Sequence, residues 1–87
     1  MKVTDEVVRR EIAGETLLIP VGETALRLNG LVSLNETGAF LWDMLKEERS
    51  PEELTGALCR EFDVSAETAS ADVAAFLAQV EKAGLLA

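Results

Sequence analysis

The sequence predicts an α+β domain in which a small three-stranded antiparallel sheet is followed by three helices. Two observations carry this prediction. Short aliphatic stretches separated by turn residues fill the first 34 positions, and three capped amphipathic patterns fill the rest. Strands that precede helices in this way are typical of α+β domains, and the short links favour a winged-helix-like arrangement. With 87 residues, the chain is expected to form one domain over residues 1–87 with a single core.

The strands are predicted from hydrophobic pattern and turn residues. Residues 7–12 alternate imperfectly, with Val8 and Ile12 on one parity. Residues 16–20 are rich in aliphatics and end at a proline, which lacks a ladder donor. An Asn-Gly turn at 29–30 precedes a third strand over residues 31–34. The intervening residues 23–28 fit either a helical turn or an extended crossing.

The first helix is predicted from Glu36 to about residue 47. Asn35 is a natural N-cap, because its side-chain oxygen can accept a hydrogen bond from a free amide of the first turn. Gly38 weakens that turn but allows a neighbouring element to approach closely. The predicted buried stripe consists of Phe40, Leu41, Met44 and Leu45. Trp42 lies off this stripe and is expected to cover its rim.

Two further helices follow, each opened by a serine cap. Ser50 and Glu53 form a capping box around a proline at the first helical position, and Ser65 caps the last helix. Gly84 is expected to end that helix, with Leu85 folding back on it. The inward residues are Leu54, Leu58 and Phe62 in one helix and Ala69, Val73, Phe76, Leu77 and Val80 in the other.

Composition argues against catalysis and against nucleic acid. The chain has 16 acidic and 8 basic residues, a net charge of −8, no histidine and one cysteine, Cys59. Nucleic acids and anionic membranes require a basic surface, and a lone thiol without histidine builds neither a zinc site nor an activated nucleophile. We therefore predict no catalytic residue, no metal and no cofactor. The charged N-terminus and the lack of a long apolar stretch favour a cytoplasmic protein.

What remains is a surface that binds a partner. The third predicted strand carries no charge and no proline, so at a sheet edge it can pair with an extended peptide. If the strand is instead central in the sheet or covered by its neighbours, it cannot pair with a peptide. On the last helix, Thr68, Asp72, Ala75 and Gln79 share one flank and can form a wall beside the strand. Asp72 fits either a partner for a basic side chain or a solvent-exposed acid.

Three motifs together resemble a known family. They are Leu34-Asn35-Glu36-Thr37 followed by Ala39-Phe40-Leu41-Trp42, then Asp72-Val73 followed by Phe76-Leu77, and last Gly84-Leu85-Leu86. In order and spacing they resemble the PqqD-like proteins, also called RiPP recognition elements. The resemblance implies three strands packed on three helices, and a non-catalytic domain that holds the leader of a precursor peptide for a modifying enzyme, often a radical SAM maturase.

The resemblance also implies a site. The leader would lie as an added strand in a groove between the third strand and the last helix. Carried over to this chain, the peptide-binding residues would be Leu31, Val32, Ser33 and Leu34 on one side and Asp72, Ala75, Phe76 and Gln79 on the other. Phe76 is expected to be core with an exposed edge. Residues 21–28 exceed the tight hairpin of the pyrroloquinoline quinone proteins, which implies a relative that works on another peptide.

Two other functions are weighed against this one. A winged-helix DNA-binding regulator would need a basic recognition helix, whereas residues 65–83 contain Lys82 as their only basic residue. An adaptor subunit of an enzyme complex would bind its partner protein without any peptide.

Overall fold

A computed structural model describes residues 1–27 and 32–87. In these ranges the chain forms three strands and four helices, which confirms the predicted α+β class. The elements are β1 (Val7–Ile12), β2 (Glu15–Pro20), α1 (Gly22–Arg27), β3 (Val32–Leu34), α2 (Glu36–Met44), α3 (Pro51–Phe62) and α4 (Ala66–Lys82). The predicted Asn29-Gly30 turn and Leu31 lie outside the described residues.

The described sheet is antiparallel, with the order β1-β2-β3. Its inner face carries Thr16, Leu18 and Leu34, all buried against the helices. Alternation places Val7 and Arg9 of β1 on this same face, and Arg9 Nε lies 3.1 Å from Asp43 Oδ1 of α2. The opposite parity of β1, with Val8 and Ile12, therefore faces outward.

The ambiguous segment after β2 is the short helix α1. The N-terminus of α1 is capped by a residue that is far away in the sequence. Glu6 Oε2 accepts a hydrogen bond from the Glu23 amide at 2.8 Å. Gly22 adopts φ +61°, where an added Cβ would also collide with the Glu6 carboxylate. The structure therefore has α1 in addition to the three helices that the sequence predicted.

The start of α2 is as predicted, but its buried face is wider. Asn35 caps the helix, whereas Trp42, which was expected at the rim, is only 2% exposed and lies in the core. The stripe prediction was wrong here because a single stripe accounts for one packing partner, whereas α2 packs against α3, α4 and the sheet. Phe40 is half-buried and meets Phe62 edge to face, with ring centroids 5.5 Å apart. The helix itself ends at Met44.

The predicted capping box opens α3. Glu53 N donates to Ser50 Oγ at 3.2 Å, and Ser50 N donates to Glu53 Oε1 at 3.0 Å. This second bond stabilises the carboxylate and lowers the pKa of Glu53 below its ordinary value. The helix ends at Asp63, which adopts the left-handed conformation.

The predicted glycine cap closes α4. Gly84 adopts φ +74°, its amide donates to Glu81 O at 3.0 Å, and the Leu85 amide donates to Val80 O at 2.9 Å. These two bonds form a Schellman motif, which turns the fully buried Leu85 back onto the core.

The two ends of the chain pair with each other. Val3 and Leu86 form an antiparallel bridge, Thr4 N donates to Leu85 O at 2.8 Å, and Ala87 N donates to Lys2 O at 2.8 Å. Val3 is 3% exposed, so this terminal clasp of residues 2–4 and 85–87 belongs to the core.

Candidate peptide-binding groove

The two edges of the described sheet differ in chemistry. β3 pairs with β2 on one side and is the end of the strand order, so the strand that the sequence left as edge or central is an edge. Its described residues are uncharged, whereas the opposite edge strand, β1, carries Arg9, Arg10 and Glu11. Charged side chains protect edges against pairing with another chain. β3 is therefore the less protected of the two edges.

A groove of about 130 Å³ opens at the end of β3. One wall is the first turn of α2, and the other is a flank of α4. The residues that line this α2–α4 groove are Asn35, Thr37, Gly38, Asp72, Ala75, Phe76 and Gln79. Four of the α4 residues that the sequence analysis named, Asp72, Ala75, Phe76 and Gln79, thus meet in one place, whereas Thr68 is not among the lining residues.

The described residues of the predicted strand, Val32, Ser33 and Leu34, lie beside the groove and are not among its described lining residues. Leu34 is buried and Val32 is half-buried against the core. Ser33 is exposed on the side of the sheet that is turned away from the helices. The groove begins at Asn35, the residue that follows β3. A peptide paired along the free edge of β3 would therefore meet the groove at the end of the strand.

Sequence reasoning identified Asn35 and Gly38 only as features of a helix start. Gly38 is buried, and a Cβ there would lie 3.4 Å from Leu34 Cβ and 3.1 Å from Asn35 Oδ1. The glycine thus allows the first turn of α2 to sit tightly against β3. The only signal in the sequence was the glycine itself, which indicated a close approach without indicating what approaches.

The α4 wall combines one charge with a small and an amide side chain. Asp72 is half-buried, while Ala75 and Gln79 are exposed. Phe76 is 5% exposed, so its ring belongs to the core and only an edge reaches the groove. Thr68, which the helical periodicity placed on the same flank, instead receives the Ser65 hydroxyl hydrogen at 3.0 Å and serves the cap.

Among the described residues that line the groove, Asp72 is the only charged one. Within residues 1–27 and 32–87 its carboxylate has no hydrogen-bond or ion-pair partner. A half-buried carboxylate favours a cation or a hydrogen-bond donor nearby, because burial removes part of its hydration. The groove therefore suits a ligand that presents a basic or hydroxyl side chain to α4.

Asn35 both caps α2 and lines the groove. Its Oδ1 accepts from Gly38 N at 2.8 Å and from Thr37 Oγ1 at 3.1 Å, so the side-chain amide is left to donate elsewhere. We expect Asn35→Ala to lower the free energy of unfolding by about 1 kcal/mol through loss of the cap. Asn35→Asp keeps the acceptor and is the matched control. Urea denaturation of the two variants checks this, and equal stability of both would contradict the role of the cap.

The described residues contain no group of three His, Cys, Asp or Glu side chains placed to hold a metal ion. Cys59 is half-buried on α3. Of the helices in the described ranges, none combines the length and apolar character needed to cross a membrane.

Comparison with known proteins agrees with this description. The family model of Coenzyme PQQ synthesis protein D (PqqD) matches residues 15–86. A solved structure, "TbiB1 in Complex with the TbiA(beta) Leader Peptide", is similar with a TM-score of 0.75 and 30% sequence identity, covering 99% of this chain and 94% of that one. No curated protein matches significantly. Since the family model spans most of the chain, from β2 to the terminal clasp, this chain belongs to the PqqD family.

Proposed function

We propose that this chain is a single-domain, non-catalytic binding module that captures the leader of a ribosomally made precursor peptide. Capture occurs by addition of the leader as a strand along β3. The observation that carries the proposal is the uncharged edge strand ending beside the α2–α4 groove. Membership of the PqqD family supports it, and so does the similarity to TbiB1, whose structure contains a leader peptide.

In this proposal the backbone of β3 provides affinity and the groove provides selectivity. The proposed contacts are Leu31, Val32, Ser33 and Leu34 on the strand side and Asp72, Ala75, Phe76 and Gln79 on the helix side. Leu31 enters from the sequence alone, since it lies outside the described residues. Asn35, Thr37 and Gly38 join the site because they line the same groove.

The module would act by raising local concentration. A captured leader holds the rest of the precursor near the enzyme that modifies it, so that the modification becomes quasi-intramolecular. We propose a radical SAM maturase in the cytoplasm as this enzyme. Its cofactors would be held by the enzyme itself, because this chain has no histidine and its single cysteine, Cys59, lies on α3.

Titration with synthetic leader peptides, taken from genes beside that of this chain, tests the proposal. We expect amide NMR shifts confined to residues 32–38 and to the flank of α4 from Asp72 to Gln79. Shifts centred on β1 would place the peptide on the other edge and overturn the assignment of β3. If a partner enzyme binds with equal affinity in the absence of any leader, the chain is an adaptor subunit instead.

Asp72 gives the proposal a testable preference. We expect peptides selected from a random display library to carry Lys or Arg at one fixed position. Asp72→Asn is expected to weaken the binding of these peptides about tenfold, since it removes a charge-assisted hydrogen bond worth roughly 1.5 kcal/mol. Glu67→Gln, which removes an exposed charge from the first turn of the same helix, is the matched control. If calorimetry shows the same loss of peptide affinity for both variants, the effect comes from the overall negative charge of the protein and not from a contact with Asp72.

A further inference from the structure

The side of β1 and β2 that is turned away from the helices carries several aliphatic side chains. Val8 and Ile12 are 41% and 55% exposed. Leu17 and Ile19 lie on the same side by alternation; they are half-buried and are not among the described residues that pack on the core. Contiguous exposed apolar surface on a small domain marks a site of interaction. We call Val8, Arg10, Ile12, Glu15, Leu17 and Ile19 the outer face.

Two charges of opposite sign stand on the outer face. Arg10 of β1 and Glu15 of β2 are both exposed. Within residues 1–27 and 32–87 neither of them forms an ion pair. The outer face is thus neutral, although the chain as a whole has a net charge of −8. A second acidic molecule can approach such a face against little local repulsion.

The strand register arranges these side chains in a self-complementary pattern. Ile12 lies opposite Glu15. Arg10, two positions before Ile12 on the same strand, lies opposite Leu17. The four side chains therefore form the corners of a rectangle, with the two charges on one diagonal and the two apolar groups on the other.

This rectangle matches a copy of itself. When a second molecule is placed face to face about a two-fold axis that runs along the apolar diagonal, Ile12 and Leu17 each meet their own counterpart. The same axis exchanges the two charged corners, so each Arg10 meets Glu15 of the second copy. Apolar contacts thus lie at the centre of the contact, and one ion pair lies on either side of it.

We propose that the outer face binds a second copy of this chain and forms a symmetric dimer. The aliphatic side chains provide the affinity, and the two Arg10–Glu15 pairs set the relative orientation of the copies. The contact is centred between β1 and β2, whereas a leader would pair with the free edge of β3. Dimer formation therefore does not depend on the proposed function, and each copy keeps its β3 edge open for a leader.

Charge reversal at the two corners separates this contact from the effect of net charge. Arg10→Glu makes the chain more negative and Glu15→Arg makes it less negative, yet each variant places like charges together in the dimer. We therefore expect both to weaken the dimer at least tenfold in sedimentation equilibrium, at protein concentrations up to about 1 mM. Glu67→Arg is the matched control, because it makes the same charge change at an exposed position of α4 and is expected to leave the dimer intact.

Mixing the two reversed variants tests the pairing itself. A mixed dimer of Arg10→Glu with Glu15→Arg has opposite charges at both corners, so we expect it to form with an affinity within about threefold of that of the unsubstituted protein. Its recovery would also show that both variants are folded. Absence of the mixed dimer would overturn the pairing of Arg10 with Glu15.

Three other results would overturn the dimer through the outer face. The first is an unsubstituted protein that stays monomeric over the whole concentration range. The second is a dimer that both charge reversals leave intact. The third is a dimer that a bound leader peptide dissociates, because such a dimer would pair through the edges of β3. A protein that dimerises as expected but binds no leader would instead refute the proposed function alone.

Discussion

Replacing Val32 with proline is expected to abolish peptide binding while leaving the helix content of the domain largely intact. Proline has no amide hydrogen and is tolerated poorly within a strand, so it disturbs the backbone of β3 with which an added strand must pair. Val32 lies in the middle of the proposed contact segment, on a strand with β2 as its described neighbour. Calorimetry with a leader peptide measures the loss, and circular dichroism monitors the helices.

The control for this variant is Val32→Thr, which keeps the backbone amide and a similar shape. Because Val32 also packs against the core, the proline variant will lose some stability, which a thermal melt quantifies. A second measurement avoids that complication by methylating single amides of the peptide. Strand addition predicts sensitivity at alternate peptide positions, since consecutive amides of a strand point to opposite sides. Normal binding by Val32→Pro together with uniform tolerance of methylation would refute strand addition.

Leu58→Ala is expected to lower the free energy of unfolding by about 2–5 kcal/mol. Leu58 on α3 is fully buried in the core cluster, so truncation removes apolar contacts and leaves a cavity. A domain of this size has a total stability of only about 5–10 kcal/mol, so the substitution removes a large share of it. Urea denaturation at neutral pH measures the change.

The same truncation at an exposed leucine provides the comparison. Leu26 on α1 is 86% exposed, and Leu26→Ala is expected to change stability by no more than about 0.5 kcal/mol. A loss at Leu26 similar to that at Leu58 would mean that α1 is covered in solution by something that binds this side chain. Peptide affinity of folded Leu58→Ala should be retained, because Leu58 lies outside the groove lining.

The helix boundaries set by local chemistry could be predicted from the sequence. Asn35, Ser50 and Ser65 each accept a hydrogen bond from an amide three residues ahead, and Gly84 is needed for its own backbone conformation. α1 could not be predicted in this way, because its cap, Glu6, is separated from Glu23 by 17 positions. Trp42 was misplaced for a related reason: a periodic stripe describes one packing partner, whereas α2 has several.

In the candidate site, too, the features set by local sequence could be predicted and those set by tertiary packing could not. Helical periodicity alone places Asp72, Ala75 and Gln79 on one flank of α4, and the structure finds them in one groove. The position of β3 at an edge depends on the order of strands in the sheet, which no local pattern encodes. Likewise, the first turn of α2 lines the groove only because tertiary packing brings it opposite α4.

The terminal clasp has a consequence for how the fold opens. Because residues 2–4 bond directly to residues 85–87, neither end can fray without freeing the amides of the other. The amides of Thr4 and Ala87 should therefore exchange with solvent deuterium as one unit, at a rate set by a shared opening. Closing this contact spans nearly the whole chain, so its loop-closure entropy is the largest in the fold. The clasp is thus expected to form late in folding, after the sheet and the helices have drawn the ends together.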